Sequence, residues 1–244
     1  MRFAACWATT AHCLHRNSSG RYPEATGKFC PGGLIHAHRP LRSYGKSGSR
    51  ILIELLARGH QVTALVRDCS KLAAGPGLTV EQGNVASTRA IAEKIKGAEA
   101  VASAYAAPAD DTDQLLAVTE HFIYAVCETG VPRFLFVGGA GSHEVAPGVP
   151  LIASGHLPEA WMSMAVSHAK ALDLAKKSDI EWTCCSPAAF FGPGERTGKF
   201  RLATDTLIAD EQHQSRISME DFAIALLDQL ETPKYERARF TAGY

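Results

Sequence analysis

Residues 45–68 read Gly-Lys-Ser-Gly-Ser-Arg-Ile-Leu-Ile-Glu-Leu-Leu-Ala-Arg-Gly-His-Gln-Val-Thr-Ala-Leu-Val-Arg-Asp. Ile51, Leu52, Leu55 and Leu56 fall at i, i+1, i+4 and i+5, one apolar stripe of a helix running from about Ser47 to Arg58. Gly59 follows it as a terminating glycine. Gln61–Val66 is a short, β-branched-rich run that reads as a buried parallel strand. Glycine loop, helix, strand and polar tip, in that order, form the second half of a βαβ unit that holds a pyrophosphate. Glycines let backbone N–H groups approach the phosphate oxygens, and the helix dipole favours the anion. Gly45, Lys46, Ser47 and Gly48 are the residues at that loop. Arg67 and Asp68 stand at the tip of the strand, where an acid suits the 2′-hydroxyl of NAD and an arginine the 2′-phosphate of NADP. Arg67 favours NADP(H) over NAD(H); Asp68 argues the other way.

The first half of the unit is harder to find. A full fingerprint needs an apolar strand and then G-x-G-x-x-G or a close variant. His36-Ala-His-Arg-Pro-Leu-Arg-Ser-Tyr44 precedes Gly45, and its proline, histidines and arginines do not suit a buried strand. One alternative places the first strand at Met1–Cys6, with Trp7-Ala-Thr-Thr10 as the loop and residues 11–44 inserted. Others are a transit-peptide-like leader or a segment foreign to the fold. The expected organisation is therefore an atypical segment over residues 1–44 and a nucleotide-binding domain over 45–244. Gly45-Lys46-Ser47 is no P-loop, because Pro40 stands where that loop needs glycine. Cys6, Cys13, Cys30, His12, His15, His36 and His38 match no zinc spacing, and no metal is expected.

A chain of 244 residues suffices for one large α/β domain, and its formal net charge of zero gives no electrostatic case for nucleic acid or an anionic membrane. Seven cysteines without framework spacing point to reduced thiols and a cytoplasmic location. Beyond Asp68, strands and helices alternate. Strands are predicted at Leu78–Val85, Ala98–Ala106, Arg133–Val137, Ile180–Ser186 and Arg239–Tyr244. Helices are predicted over 86–97, 111–129 and 159–177, with a last one capped by Ser218. Strict alternation gives a single-domain, Rossmann-like, doubly wound parallel sheet whose first strand is atypical or displaced. Ligands bind such sheets at the carboxyl ends of the strands, here Arg67, Asn84, Ser103, Gly138 and Pro187.

Several stretches together resemble the atypical short-chain dehydrogenase/reductases of the NmrA-like, NADH-flavin reductase-like kind. They are Gly45–Gly48, Gly59–Asp68, Gln82-Gly-Asn-Val85, Phe134-Leu-Phe-Val-Gly-Gly-Ala-Gly-Ser142, Ser186-Pro-Ala-Ala-Phe-Phe-Gly-Pro-Gly-Glu-Arg-Thr-Gly198 and Arg216–Ala223. The resemblance implies that Asn84 and Val85 lie along the adenine and Ser103 and Ala104 near the ribose. It implies also that Gly138 and Gly139, with Pro187, Ala188 and Phe190, flank the nicotinamide. The activity it implies is hydride transfer from NAD(P)H to a flavin, quinone or small carbonyl compound, with that small molecule as the partner. No Tyr-x-x-x-Lys pair exists: Lys170 sits in the expected helix, but its partner position is Val166. Ser142 and Lys170 remain as catalytic candidates, while His143 and His168 read as surface histidines. The missing pair keeps open a non-catalytic NAD(P) sensor, and the missing glycines a variant with an impaired phosphate loop.

Overall fold

The structure, a computed structural model, describes residues 32–37 and 46–244. In chain order the larger elements are β1 (Gly32–Ala37), α1 (Lys46–Ala57), β2 (Gln61–Val66), β3 (Leu78–Gln82), α2 (Thr88–Ile95), β4 (Ala100–Ala104), α3 (Gln114–Thr129) and β5 (Phe134–Val137). A hairpin of β6 (Glu144–Ala146) and β7 (Val149–Pro150) precedes α4 (Glu159–Lys176) and β8 (Trp182–Pro187). The chain ends with β9 (Phe190–Gly192), β10 (Arg201–Ala203), β11 (Arg216–Ser218), α5 (Met219–Glu231) and β12 (Ala238–Gly243). Eight strands form one sheet in the order β10-β12-β8-β5-β4-β1-β2-β3. Every adjacent pair is parallel except β10 with β12. The order reverses between β1 and β4, which is the switch point of a doubly wound sheet.

The place of the first strand corrects the reading of the residues before Gly45. Gly32–Ala37 pairs with β2 from Gly32↔Gln61 to His36↔Leu65 and with β4 from Gly33↔Ala100 to Ala37↔Ala104. The strand is atypical in composition, yet it occupies the ordinary central position between β2 and β4, the place the other reading assigned to Met1–Cys6. Two leading glycines and a histidine hid it, because strand recognition rests on apolar side chains while the ladder uses only backbone groups. Met1–Cys6, Trp7–Thr10, Gly45 and most of the cysteine and histidine set lie outside the described residues. Strict alternation also fails at one crossover. Between β2 and β3, residues 67–77 contain only a 3₁₀ turn at Cys69–Lys71, since Gly75, Pro76 and Gly77 leave no room for a helix.

The helices divide by the side of the sheet they cover. On one side α1 packs beside α5, burying Ile51, Leu52 and Leu55 with Phe222, Leu226 and Leu227. On the other, α2, α3 and α4 cover Phe122, Phe134, Phe136 and Trp182. Phe122 stacks on Phe134 at 5.7 Å between centroids, and Phe134 on Phe136 at 5.5 Å. α1 ends at Gly59 in the left-handed conformation (φ +82°), with Gly59 N–H donating to Leu56 O and His60 N–H to Leu55 O. Such a pair of hydrogen bonds at a helix end is what a glycine at that position makes possible. No described helix is long and apolar enough to cross a membrane.

Candidate functional site

The carboxyl ends of the parallel strands share one edge, and their residues are small. Ser103, Ala104, Gly138, Pro187 and Ala188 are all buried there. Gly138 closes β5, and a Cβ on it would stand 2.6 Å from Cys184 Sγ and 2.7 Å from Ser186 Oγ. Gly139 is occupied from above by α4: its Cβ would lie 2.9 Å from His168 Cβ and 3.0 Å from His168 Cγ. Gly141 is filled in the same way by Ala165 and Ile152. Glycines are needed in this run because helix and strand touch through it.

α1 begins at Lys46, with Ser47 half-buried and Gly48 buried in its first turn. That turn is tied to the far end of the chain. Arg50 Nε donates to Glu220 Oε1 at 2.9 Å, and Gly194 N–H donates to Glu220 Oε2 at 2.8 Å. One turn later Arg196 grips the buried Glu54 with two bonds of 2.9 Å, while Arg58 adds a third. The Arg196 bonds hold the Glu54 carboxyl below its usual range against the opposing effect of burial.

At the tip of β2, Arg67 is exposed, and Asp68 is committed to its own loop. The Asp68 carboxylate accepts from Ser70 N–H at 3.0 Å and Ser70 Oγ at 2.6 Å, and pairs with Lys71 at 3.0 Å. The Ser70 hydroxyl, then Lys71, lower its pKa to about 2. Asn84 is exposed and spends its side-chain oxygen on Ala86 N–H at 2.9 Å; Val85 is buried. Ser103 Oγ accepts from Tyr105 N–H at 3.4 Å.

Of the catalytic candidates, Ser142 ends a 3₁₀ turn and its hydroxyl accepts from Arg239 Nη1 at 2.7 Å. Lys170 is exposed, two residues and so about 200° around α4 from His168. His143 is not a surface residue, contrary to expectation, and His168 is only partly one. His168 is half-buried against Gly139, and its enclosure lowers its pKa to about 4. His143 is fully buried with Nδ1 3.3 Å from Asp205 O, and burial and then Arg239 lower its pKa to about 4. A neutral imidazole donating from Nδ1 satisfies that carbonyl. Sequence spacing gave no hint of this, because the Arg239–Asp205 pair that covers His143 comes from residues 62 and 96 positions later.

The burial of His143 has a measurable consequence. A histidine with pKa near 4 when folded and about 6.5 when unfolded leaves the unfolded chain binding more protons between those values. Stability therefore rises with pH across that window and is lost as pH falls from about 6.5 to 4. The loss attributable to His143 is on the order of 3 kcal/mol. Denaturant unfolding of wild type and His143→Gln at a series of pH values should show a shallower slope in the variant. Parallel curves would mean that the imidazole is not held neutral.

Beyond Phe190 the chain forms a groove of about 690 Å³ that the sequence did not reveal, bordered by Phe191, Gly194, Lys199, Arg216 and Tyr244. Its floor is the parallel pair β9–β11. Its rim, residues 194–198, hangs on Asp221, which is fully buried in the first turn of α5. Asp221 accepts from the N–H groups of Thr197 and Gly198 at 2.8 Å each, from Thr197 Oγ1 at 2.5 Å and from Tyr244 OH at 2.9 Å. Sequence marked Asp221 only as a partner of the Ser218 cap. Cys184 and Cys185 lie in β8 as expected, their thiols pushed up by burial, Cys184 to about 12.

A family model described as NAD(P)H-binding matches residues 43–233. Over 201 residues the chain is 37% identical to the uncharacterised protein YwnB of Bacillus subtilis, a match covering 81% of this chain and 93% of that one. Among solved structures, a candidate epimerase from Bacteroides thetaiotaomicron is 39% identical with a TM-score of 0.80, over 88% of this chain and 97% of that one. A candidate NADH-flavin reductase from Streptococcus pneumoniae is 30% identical with a TM-score of 0.77, over 87% and 99%. Strand order, switch point and these matches agree: the chain belongs to the NAD(P)H-binding family of Rossmann-like proteins.

Proposed function

We propose that this protein is an NAD(P)H-dependent reductase that prefers NADPH and passes hydride to an acceptor needing no protein acid, a flavin or a quinone in preference to a simple carbonyl compound. The observation that carries the reading is the floor of small residues at the switch point, Ser103, Ala104, Gly138, Pro187 and Ala188, with no Tyr–Lys pair above it. The residues fit a dinucleotide. The first turn of α1, with Ser47 and Gly48, offers backbone N–H groups to the pyrophosphate. Arg67 suits a 2′-phosphate, and Asp68 cannot compete for the ribose while Ser70 and Lys71 hold it. Bound reduced nicotinamide supplies the hydride. The chain's own part is to position it and to leave the acceptor face open. His168, neutral at pH 7, serves as a hydrogen-bonding wall rather than an acid. The likeness to the Streptococcus pneumoniae protein supports a flavin acceptor.

Titration of the protein with NADPH and NADH, followed by nucleotide fluorescence, tests the coenzyme. Arg67→Ala should weaken NADPH by about fivefold, since an exposed charge-assisted contact is worth roughly 1 kcal/mol, and leave NADH unchanged. Equal losses for both would remove the 2′-phosphate role. NADPH oxidation with flavin or quinone tests the reaction. Tight binding without turnover of any acceptor would favour the sensor reading, which the missing Tyr–Lys pair also supports.

A further inference from the structure

We propose that the groove beyond Phe190 is a subsite for the anionic tail of the acceptor: Lys199 and Arg216 hold a phosphate while Phe190 supports the planar ring system that carries it. The proposal rests on the reductase reading for the word acceptor, but the binding chemistry stands on the groove itself. Its volume of about 690 Å³ is that of a small-molecule site. The β9–β11 register sets Arg216 directly beside Phe190, so a cation and an exposed ring are neighbours on adjacent strands. Phe190 is 55% exposed and braced edge-on by Trp161 at 6.3 Å. An aromatic residue held open in this way is a platform for another flat ring.

The cations are available. Among the described residues the Lys199 ammonium has no ion-pair partner. Arg216 meets only Asp210, at 3.5 Å, and that carboxylate already accepts from the N–H groups of Gln212 and Gln214. Glu195 is the single acidic side chain on the lining, against the two cationic side chains of Lys199 and Arg216. The rim is also rigid, moored by Asp221, Glu220 and the Glu54–Arg196 pair. A preformed site loses less freedom on binding.

Riboflavin and flavin mononucleotide differ only by the phosphate, so they isolate the subsite. Quenching of flavin fluorescence, measured on the full chain without nicotinamide, should give about tenfold tighter binding of the mononucleotide. The double variant Lys199→Ala/Arg216→Ala should lose that advantage, bind riboflavin as before and melt like the wild type, because both side chains are exposed. Equal binding of the two flavins by the wild type, no binding of either, or equal losses in the variant would overturn the proposal. So would a weakened NADPH affinity in the variant, which would assign the groove to the coenzyme. Turnover of riboflavin without any preference for the phosphate sinks the subsite and spares the reductase reading. Phosphate preference without NADPH oxidation does the reverse.

Discussion

Asp221→Ala should lower unfolding stability by about 3 kcal/mol and free the rim of the groove. A buried carboxylate that loses its role leaves its donors behind, and breaking such a network from one side costs roughly 3–5 kcal/mol. Here four donors converge on it: two backbone N–H groups, the Thr197 hydroxyl and the Tyr244 phenol. Thr197 and Gly198 are exposed residues, so water can reach part of the deficit and the lower end of that range applies. The carboxylate also sits in the first turn of α5, where the helix dipole favours a negative charge. For a domain of this size the expected fall in melting temperature is about 6–12 °C. Asp221→Asn keeps the shape and can donate to Thr197 Oγ1 while accepting at Oδ1, so it should lose about half as much as alanine. Limited proteolysis should cut the alanine variant near residues 193–199 faster than the wild type. A melting temperature within a degree of wild type, together with unchanged cleavage, would show that the rim is held by something else.

The same residue shows where sequence reasoning stops. Ser218 and Asp221 three positions on is a visible cap, and the structure has it: Asp221 N–H donates to Ser218 Oγ at 3.0 Å. What the local pattern cannot contain is that the Asp221 side chain reaches 24 residues back to Thr197. β2 was legible to the residue because Val62, Thr63 and Val66 carry β propensity and Gly59 marks the turn before it. The buried β8 was legible for similar reasons. β1 was not, since Gly32 and Gly33 contribute nothing to an apolar pattern. β9 and β11 are three residues each and lie 26 positions apart in register, Phe190 opposite Arg216, so neither run is long enough to show a period. The carboxyl-end edge of the sheet was therefore readable from small residues at strand ends. The groove was not, because it exists only where loops from 191–215 meet the end of the chain.

Gly138→Val should be the most damaging single change at the carboxyl-end edge of the sheet, where the proposed function puts the nucleotide. The backbone of Gly138 does not need a left-handed conformation, and its N–H donates to Cys185 O at 2.8 Å as any residue's would. The obstacle is space alone. A first Cβ already lies inside contact distance of Cys184 Sγ and Ser186 Oγ, and both residues are about 1% exposed, so neither side chain has anywhere to go. Overpacking of this kind costs about 1–3 kcal/mol, with valine's extra methyls at the upper end. It would also tilt the end of β5 into the cleft and weaken NADPH binding. The cause can be isolated by making room. Cys184→Ala and Ser186→Ala remove the two atoms nearest the new Cβ, so the combination with Gly138→Ala should recover most of what Gly138→Ala loses by itself. Contacting residues give non-additive energies, whereas distant ones add. If the three losses simply sum, steric crowding is not what fixes glycine at this position.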